Sequence, residues 1–205
     1  YIDRSGSLYD TECLSLFGTN SFNLVWEKIC AEIMDNQLDV PLGILKLPVP
    51  LKEDYNRRQK LIELIEKPLW TITGKCAKDT LIPDLVSICK VNDQHQFIIF
   101  DAKYYNAHLE KGIVPTGQPG IESITKQYLY QLAYQRFIED HKFSSVKNCF
   151  LLPTENNEIE DKGEVRMEML SNLGLQDIKI RLIPATMAYD LYLSGSKMDM
   201  ERLDL

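Results

Sequence analysis

The chain has 205 residues, of which 44% are hydrophobic and 26% are charged, and its formal net charge is −7. This length corresponds to about 1.4 domains of ordinary size, so a single domain with an elaborated end is expected. The composition excludes disordered, collagen-like and low-complexity chains, and no apolar run approaches the roughly 18 residues that a membrane span needs. The five cysteines are scattered without a Cys-x-x-Cys pair, which argues against disulfides and structural zinc and favours a soluble, cytoplasmic protein.

The N-terminal third is predicted to contain two helices. Residues 1–18 have turn-formers and no hydrophobic period, so they are predicted to form an irregular lead-in. Apolar side chains then recur at spacings of three and four between Ser21 and Asn36, which predicts an amphipathic helix. A second helix is predicted over about 54–66, after a proline-rich stretch. The chain begins at Tyr1 rather than at a methionine and is therefore expected to be part of a longer protein.

From residue 69 the hydrophobic period changes to two, which predicts a three-strand meander near 69–77, 81–91 and 95–105. Asn92 and Asp93 fall between the last two strands, where a tight hairpin turn needs such residues. The remaining predicted elements are a helix near 121–141, a strand near 146–152, a solvated loop over 154–162, strands near 164–170 and 178–184, and a helix near 185–194. Residues 153–205 are interpreted as a C-terminal elaboration of one domain spanning 1–205, and its tail after residue 194 is expected to fray. This order predicts an α/β fold in which helices flank a mixed central sheet.

Two aspartates and a lysine lie in the predicted meander. Asp84 follows Pro83 in one strand, whereas Asp101 and Lys103 are two residues apart on the next and therefore emerge on the same face. Each acid lies in an otherwise apolar run, where an ionised group is costly unless it is paired or bound to a cation. A magnesium ion would resolve this conflict, because it takes oxygen ligands and is held by one or two carboxylates plus substrate phosphate.

This set of residues suits phosphodiester hydrolysis. Asp84 and Asp101 would hold the metal, and the backbone carbonyl of Ala102 is a candidate further ligand; Mn²⁺ is expected to substitute for Mg²⁺. Lys103 would orient or activate the attacking water and add positive charge at the phosphate. The alternative is structural, with the Asp-x-Lys sequence forming a surface salt bridge and the Pro-Asp sequence a turn.

The segments Pro83-Asp84 and Asp101-Ala102-Lys103 resemble the two halves of the PD-(D/E)XK nuclease signature. The order of predicted elements also resembles the restriction-endonuclease-like core of that superfamily. The resemblance implies a further acid on the helix before the meander. Glu27 is the candidate for this catalytic and metal-binding acid, and an ordinary solvent-facing charge is the alternative.

Relatives of RecB in this superfamily also carry a Gln and a Tyr on the helix that follows the catalytic strand. Gln127 is the candidate catalytic polar group here, with Gln131 and Tyr134 also considered. The alternative is a helix that packs its aromatic side chains and hydrates its amides.

The runs Leu16–Thr19, Phe22–Glu27 and Phe100–Tyr105 look like the nuclease component of LlaJI-type restriction systems, which are similar to McrBC. The resemblance implies a magnesium-dependent endonuclease that cuts double-stranded DNA together with a separate McrB-like AAA+ GTPase. A partner that supplies GTP hydrolysis agrees with the lack of a Gly-x-x-x-x-Gly-Lys-Ser/Thr loop in this chain. It would also account for the net negative charge, which is unusual for a chain that tracks along DNA by itself.

Several points stay open at this stage. The DNA-contact candidates are Tyr104, Arg57, Arg58 and Gln131, with packing as the alternative for Tyr104 and a solvated helix face for the arginines. A homodimer is also left open, and no membrane partner is expected. Two other functions compete with the restriction endonuclease. They are a RecB-like exonuclease or junction-cleaving nuclease, and a non-cleaving nuclease-fold module that binds nucleic acid or a partner subunit.

Overall fold

The structure is a computed structural model, and it describes residues 21–205. The predicted irregular lead-in lies outside the described residues. Three α-helices are present in this part of the chain: α1 (Phe22–Ile33), α2 (Ile121–Asp140) and α3 (Ala185–Ser194). The strands are β1 (Leu69–Trp70), β2 (Lys75–Cys76), β3 (Leu85–Val91), β4 (Gln94–Ala102), β5 (Ser145–Thr154), β6 (Glu160–Val165) and β7 (Ile178–Pro184). Short 3-10 helices occur at Leu42–Ile44, Leu61–Leu64, Glu168–Leu173 and Met200–Leu203.

A five-stranded mixed sheet with the order β3-β4-β5-β7-β6 forms the centre of the fold. Asn92 and Asp93 both adopt positive φ angles and form the turn that pairs β3 with β4 in antiparallel register, as the sequence predicts. The helix α2 connects β4 to β5, which run parallel, and β5 is also parallel to β7. The prediction of an α/β fold with a mixed central sheet flanked by helices is confirmed.

Alternate residues of β4 face the two helical layers. Ile98 and Phe100 pack in one apolar cluster with Trp26 of α1, whereas Phe97 and Ile99 pack on the opposite face against α2. The indole Nε1 of the fully buried Trp26 donates a hydrogen bond of 3.1 Å to a β5 carbonyl. The sheet is therefore covered on both faces, which explains why its central strands are apolar on both sides.

The predicted helix over 54–66 is wrong, because only Leu61–Leu64 forms a helical turn there. Backbone N–H groups of this segment donate to distant carbonyls instead of to their own i−4 carbonyls. Leu61 donates to Val40 and Ile62 donates to Leu38. The backbones of residues 38–43 and 57–62 thus form hydrogen bonds with each other. A continuous helix over 54–66 would leave the backbone groups of 38–43 without these partners.

The first strand of the predicted meander does not join the central sheet. Residues 69–76 instead form a separate two-stranded hairpin of β1 and β2. The free edge of β3 is already occupied, since Asn36 and Gln37 exchange hydrogen bonds with Val86 and the Gln37 amide donates to Ile88. The edge of β3 at Val86 and Ile88 is therefore not available to a third strand.

The C-terminal region differs from the prediction in two places. Strand β6 begins at Glu160, inside the expected loop, and a 3-10 helix follows where the second half of the predicted strand was expected. The tail does not fray, because Met198 and Leu203 are buried and Arg181 donates hydrogen bonds to the Leu203 and Asp204 carbonyls. Within the described part of the chain, no helix combines the length and hydropathy that crossing a membrane requires.

Candidate active site

The two predicted catalytic aspartates lie side by side. Leu85 pairs with Phe100, so continuing this antiparallel register by one residue places Asp84 opposite Asp101. Both residues lie at the end of the sheet where the parallel strands β4, β5 and β7 end. In open α/β sheets, the carboxyl ends of strands are where ligands bind.

Pro83 ends the backbone ladder between β3 and β4 at this point. The same register places Pro83 opposite Ala102, and proline has no N–H to donate to the Ala102 carbonyl. The Ala102 N–H instead donates a 2.9 Å hydrogen bond to the Oδ2 atom of Asp84. A proline immediately before the aspartate thus leaves a backbone carbonyl without its regular ladder donor beside two carboxylates, which fits the predicted ligand role of Ala102.

Lys103 lies between the two aspartates. Its Nζ atom contacts Asp101 Oδ1 and lies 3.5 Å from Asp84 Oδ2. Burial alone would lower the pKa of Lys103, but the carboxylates of Asp101 and Asp84 outweigh it and raise this pKa. The lysine is therefore a cation at neutral pH, and its ammonium group lies between the two carboxylates.

Asp101 is the most perturbed acid of the site. Its side chain is only 5% exposed, and burial, followed by the nearby negative charge of Asp84, raises its pKa to about 7. Lys103 opposes this increase without cancelling it. Its Oδ1 atom is buried and has no hydrogen bond of good geometry within residues 21–205, although Lys103 lies close to it. Burial beside Asp84 therefore favours binding of a proton or of a cation by this carboxylate.

Glu27 approaches the same site from α1. Burial raises the pKa of Glu27, the charge of Asp84 raises it further, and the charge of Lys103 lowers it. Glu27 is therefore close enough to the site to respond to both residues, and it is only partly exposed. The neighbouring Cys30 thiol is buried and also responds to Asp84 and Glu27, which raise its pKa after burial itself.

The donor set suits magnesium better than a metal that needs a preformed cage. Within residues 21–205, no three His, Cys, Asp or Glu side chains converge to form a metal cluster. Magnesium does not require one, since it typically uses one or two carboxylates and completes its shell with waters and phosphate oxygens. Asp84, Asp101 and the Ala102 carbonyl provide such a partial oxygen set, and the Lys103 ammonium shows that a cation fits between the carboxylates.

Tyr130 is a site neighbour that the sequence reasoning did not select. It is buried on α2, and its hydroxyl donates a 3.0 Å hydrogen bond to the Ile82 carbonyl, two residues before Asp84. Burial, followed by the charges of Asp101 and Asp84, raises the pKa of Tyr130 to about 12. The sequence offered one signal for it, because RecB-like relatives carry a tyrosine four residues after the glutamine of this helix, and Tyr130 lies four residues after Lys126.

Gln127 and Gln131 lie beneath the sheet rather than in an open site. Gln127 is fully buried, and its amide donates a 2.8 Å hydrogen bond to the Ile99 carbonyl, two residues before Asp101. Gln131 accepts hydrogen bonds from the Asn148 amide at 2.6 Å and from the Gln176 N–H at 3.0 Å. These contacts join α2 to the sheet, so the structure places Gln127 behind the catalytic strand and Gln131 away from any exposed surface.

Tyr104 lies at the rim of a cleft that adjoins the site. The residue is 45% exposed, and the centroid of its ring lies 4.7 Å from that of Phe22. DNA contact and packing, the two interpretations of Tyr104 from the sequence, therefore both remain open, since the side chain packs on α1 and is also accessible. The cleft has a volume of about 520 Å³, and its lining includes Tyr105, Thr154 and Glu160.

Arg57 and Arg58 lie elsewhere. Both are exposed, and the Arg57 guanidinium donates a 3.2 Å hydrogen bond to the Gly43 carbonyl. Their segment packs through Tyr55 against Phe137 near the C-terminal end of α2, next to the start of β4. Asp101 lies at the other end of β4, so the structure does not bring these arginines to the catalytic residues.

A mixed sheet between helical layers, with paired carboxylates and a lysine at the strand ends, is an α/β fold of the restriction-endonuclease-like class. The sequence profile of the LlaJI restriction endonuclease family matches residues 1–189, and the chain belongs to this family. The resemblance to LlaJI-type restriction systems that the sequence indicated is thereby confirmed.

The chain is also similar to a component of the BsuMI type II restriction enzyme, YdjA, of Bacillus subtilis (strain 168). The two are 28% identical over 209 residues, which cover 98% of this chain and 39% of that protein. The chain therefore spans well under half the length of this relative. No solved structure gives a significant match.

Proposed function

We propose that this chain is the catalytic part of a cytoplasmic, magnesium-dependent restriction endonuclease that hydrolyses phosphodiester bonds in double-stranded DNA. The observation that carries the proposal is the meeting of Asp84, Asp101 and Lys103 at one end of the sheet. Membership of the LlaJI restriction endonuclease family supports the reaction class. The PD-(D/E)XK assignment is supported by the positions of the same three residues.

The residues of the site would have two roles, which are binding the metal ion and orienting the reacting groups. Asp84, Asp101 and the Ala102 carbonyl would hold Mg²⁺, and Glu27 would add a further oxygen from α1. When bound, the ion lowers the pKa of a ligated water and offsets charge on the phosphate. Lys103, freed from the carboxylates, would keep its positive charge and orient the attacking water or the scissile phosphate.

A second subunit is part of the proposal. The relative in Bacillus subtilis is named as a component of a restriction enzyme, which supports a system of several chains. We place GTP hydrolysis on a separate AAA+ subunit of the McrBC type, since the sequence lacks a phosphate-binding loop of the Walker type. A partner that delivers DNA would also compensate for a net charge of −7.

The test is a cleavage assay on circular and linear double-stranded DNA with MgCl₂ or EDTA. The chain is assayed alone and with the AAA+ GTPase of a restriction system plus GTP. The variants are Asp84→Asn, Lys103→Met and the control Asp190→Asn, which removes an exposed carboxylate of α3. We expect magnesium-dependent cutting of circular DNA, a loss of about 100-fold or more in both site variants, and normal cutting by the control.

Other results would contradict particular parts of the proposal. Full activity in both site variants would remove the assignment of these residues. Degradation of linear DNA with circular DNA left intact would favour the exonuclease alternative. Binding without cutting under every condition would favour the non-cleaving module.

A further inference from the structure

The hairpin of β1 and β2, which is not part of the central sheet, extends away from the core. Residues 67–80, which we name the arm, have no buried position, and the residues of β1 and β2 are all exposed. The arm is nevertheless ordered by its own hydrogen bonds. Ala77 donates to the Pro68 carbonyl at 2.7 Å, and the Thr80 hydroxyl donates to the Glu66 carbonyl at 2.6 Å.

The side chains of the arm are unsuited to a purely structural role. Leu69 and Trp70 are 61% and 63% exposed, and Ile72 in the turn is 95% exposed. A two-stranded hairpin is marginal by itself in water, and large exposed apolar side chains in one place usually mark an interaction surface. The arm therefore has the composition of a surface that is covered by a ligand.

The charge of the arm indicates which ligand. Lys67, Lys75 and Lys78 are exposed, against one acid, Asp79, so the arm is positive in a chain whose net charge is −7. Within residues 21–205, none of these three lysines has a carboxylate within 4.0 Å, whereas many other lysines of the chain are paired in this way. Three unpaired lysines beside exposed apolar groups are complementary to a nucleic acid backbone and its bases.

The arm also leads directly into the catalytic residues. Asp84 lies four positions after Thr80 at the base of the arm, so the two Cα atoms lie within about 14 Å of each other. The segment between them is fixed, because Pro83 is buried and Tyr130 binds the Ile82 carbonyl. A duplex held by the arm would therefore lie next to the paired aspartates.

We propose that the arm is a DNA-binding β-ribbon that enters the major groove and holds the duplex against the active site. The lysines would contact phosphates, and Trp70 and Ile72 would contact base edges, since this groove admits a two-stranded ribbon. The inference rests on the proposed function, because it takes duplex DNA as the substrate. It adds the surface by which the chain binds that substrate.

Binding is measured without cleavage, by fluorescence anisotropy of a labelled duplex in EDTA over a range of salt concentrations. One variant reverses the arm charge (Lys67→Glu, Lys75→Glu, Lys78→Glu), and a second removes the apolar groups (Trp70→Ser, Ile72→Ser). The matched control reverses three exposed cations elsewhere (Lys90→Glu, Lys142→Glu, Arg202→Glu). All variants are checked for unchanged thermal unfolding, which is expected because the substituted side chains are exposed.

We expect the charge variant to raise the Kd by about tenfold or more at low salt. The slope of log K against log salt should become shallower by up to about 2.7, since each phosphate contact contributes about 0.9. The apolar variant should raise the Kd by about tenfold with little change in this slope, because base contacts release few counterions. The control should change the Kd by less than about threefold, because charges beyond the screening length contribute little.

The two proposals fail differently. If DNA binding depends on the arm but no magnesium-dependent cleavage occurs, the result would support DNA binding by the arm and overturn the assigned nuclease activity. If the wild-type chain cleaves DNA, and both arm variants bind and cut DNA as well as the control does, the proposed role of the arm is wrong while the nuclease assignment stands. Absence of DNA binding by the wild-type chain would also overturn it. So would arm variants that bind DNA normally but lose association with the AAA+ subunit, since the arm would then dock protein.

Discussion

Replacing Asp101 by asparagine is expected to stabilise the fold, although it removes a proposed metal ligand. Burial and the charge of Asp84 raise the pKa of Asp101 from an ordinary value of 3.8 to about 7. Because this pKa is higher in the folded state, Asp101 binds its proton more tightly there than in the unfolded chain. The contribution of protonated Asp101 to the unfolding free energy is therefore fully present below about pH 4 and is lost as the pH rises to about 7. Each pKa unit corresponds to about 1.4 kcal/mol, so the ionised carboxylate costs up to about 4 kcal/mol above that range. Asparagine has nearly the same shape without the charge and should recover about 2–4 kcal/mol.

The measurement is urea unfolding, followed by circular dichroism, at about pH 5 and about pH 8 in the absence of divalent metal. The difference between Asp101→Asn and wild type should grow by about 2–3 kcal/mol between these conditions. The exposed Asp190→Asn change serves as the control and should show no such growth. Mg²⁺ should then stabilise the wild type and not Asp101→Asn, because a ligand that binds only the native state raises its stability. A difference that stays constant with pH, or a variant that is less stable at about pH 8, would refute the reasoning.

Two other outcomes test the same site. The Tyr130→Phe change removes the 3.0 Å hydrogen bond to the Ile82 carbonyl and should lower the unfolding free energy by about 1 kcal/mol. It should also slow cleavage without weakening DNA binding, because the segment before Asp84 loses an anchor; a cleavage rate equal to that of the half-exposed control Tyr192→Phe would contradict this. Magnesium affinity, measured by calorimetry, should weaken about tenfold for each pH unit below about 7, because Asp101 must lose a proton to bind the metal. An affinity that does not vary with pH would show that Asp101 is not a ligand.

The sequence predicted the elements whose hydrophobic period is strong and whose partners are close in the chain. The positions of α1, α2 and α3 follow from side-chain spacing, and the β3–β4 hairpin follows from the Asn92-Asp93 turn. That turn also sets the register that pairs Asp84 with Asp101, which is why the centre of the site was accessible to sequence reasoning. The helix predicted over 54–66 was wrong because its hydrogen-bond partners lie at 38–43, and local propensity does not report distant partners.

The glutamines of α2 show a second limit of the sequence. A polar residue on a helix is ordinarily assigned to the solvent face, yet Gln127 and Gln131 are both buried against the sheet. Their spacing of four residues places them on one helix face, but the sequence does not reveal that this face meets Ile99 and Asn148. The polar partner on β5 is what makes the burial tolerable, since buried amides are costly unless they are hydrogen-bonded.

The uneven distribution of charge resolves the apparent conflict between an acidic chain and a DNA substrate. Charges interact appreciably only within about 8 Å at physiological ionic strength, so a phosphate backbone responds to nearby groups and not to the net charge of −7. The arm has three lysines, Lys67, Lys75 and Lys78, against one acid, Asp79, and none of the three has a carboxylate within 4.0 Å in the described part of the chain. The carboxylates of Asp84 and Asp101 lie at the base of the arm and are partly neutralised by Lys103. In the proposed binding mode the duplex contacts the positive arm, and the acids next to the scissile phosphate are those proposed to bind metal.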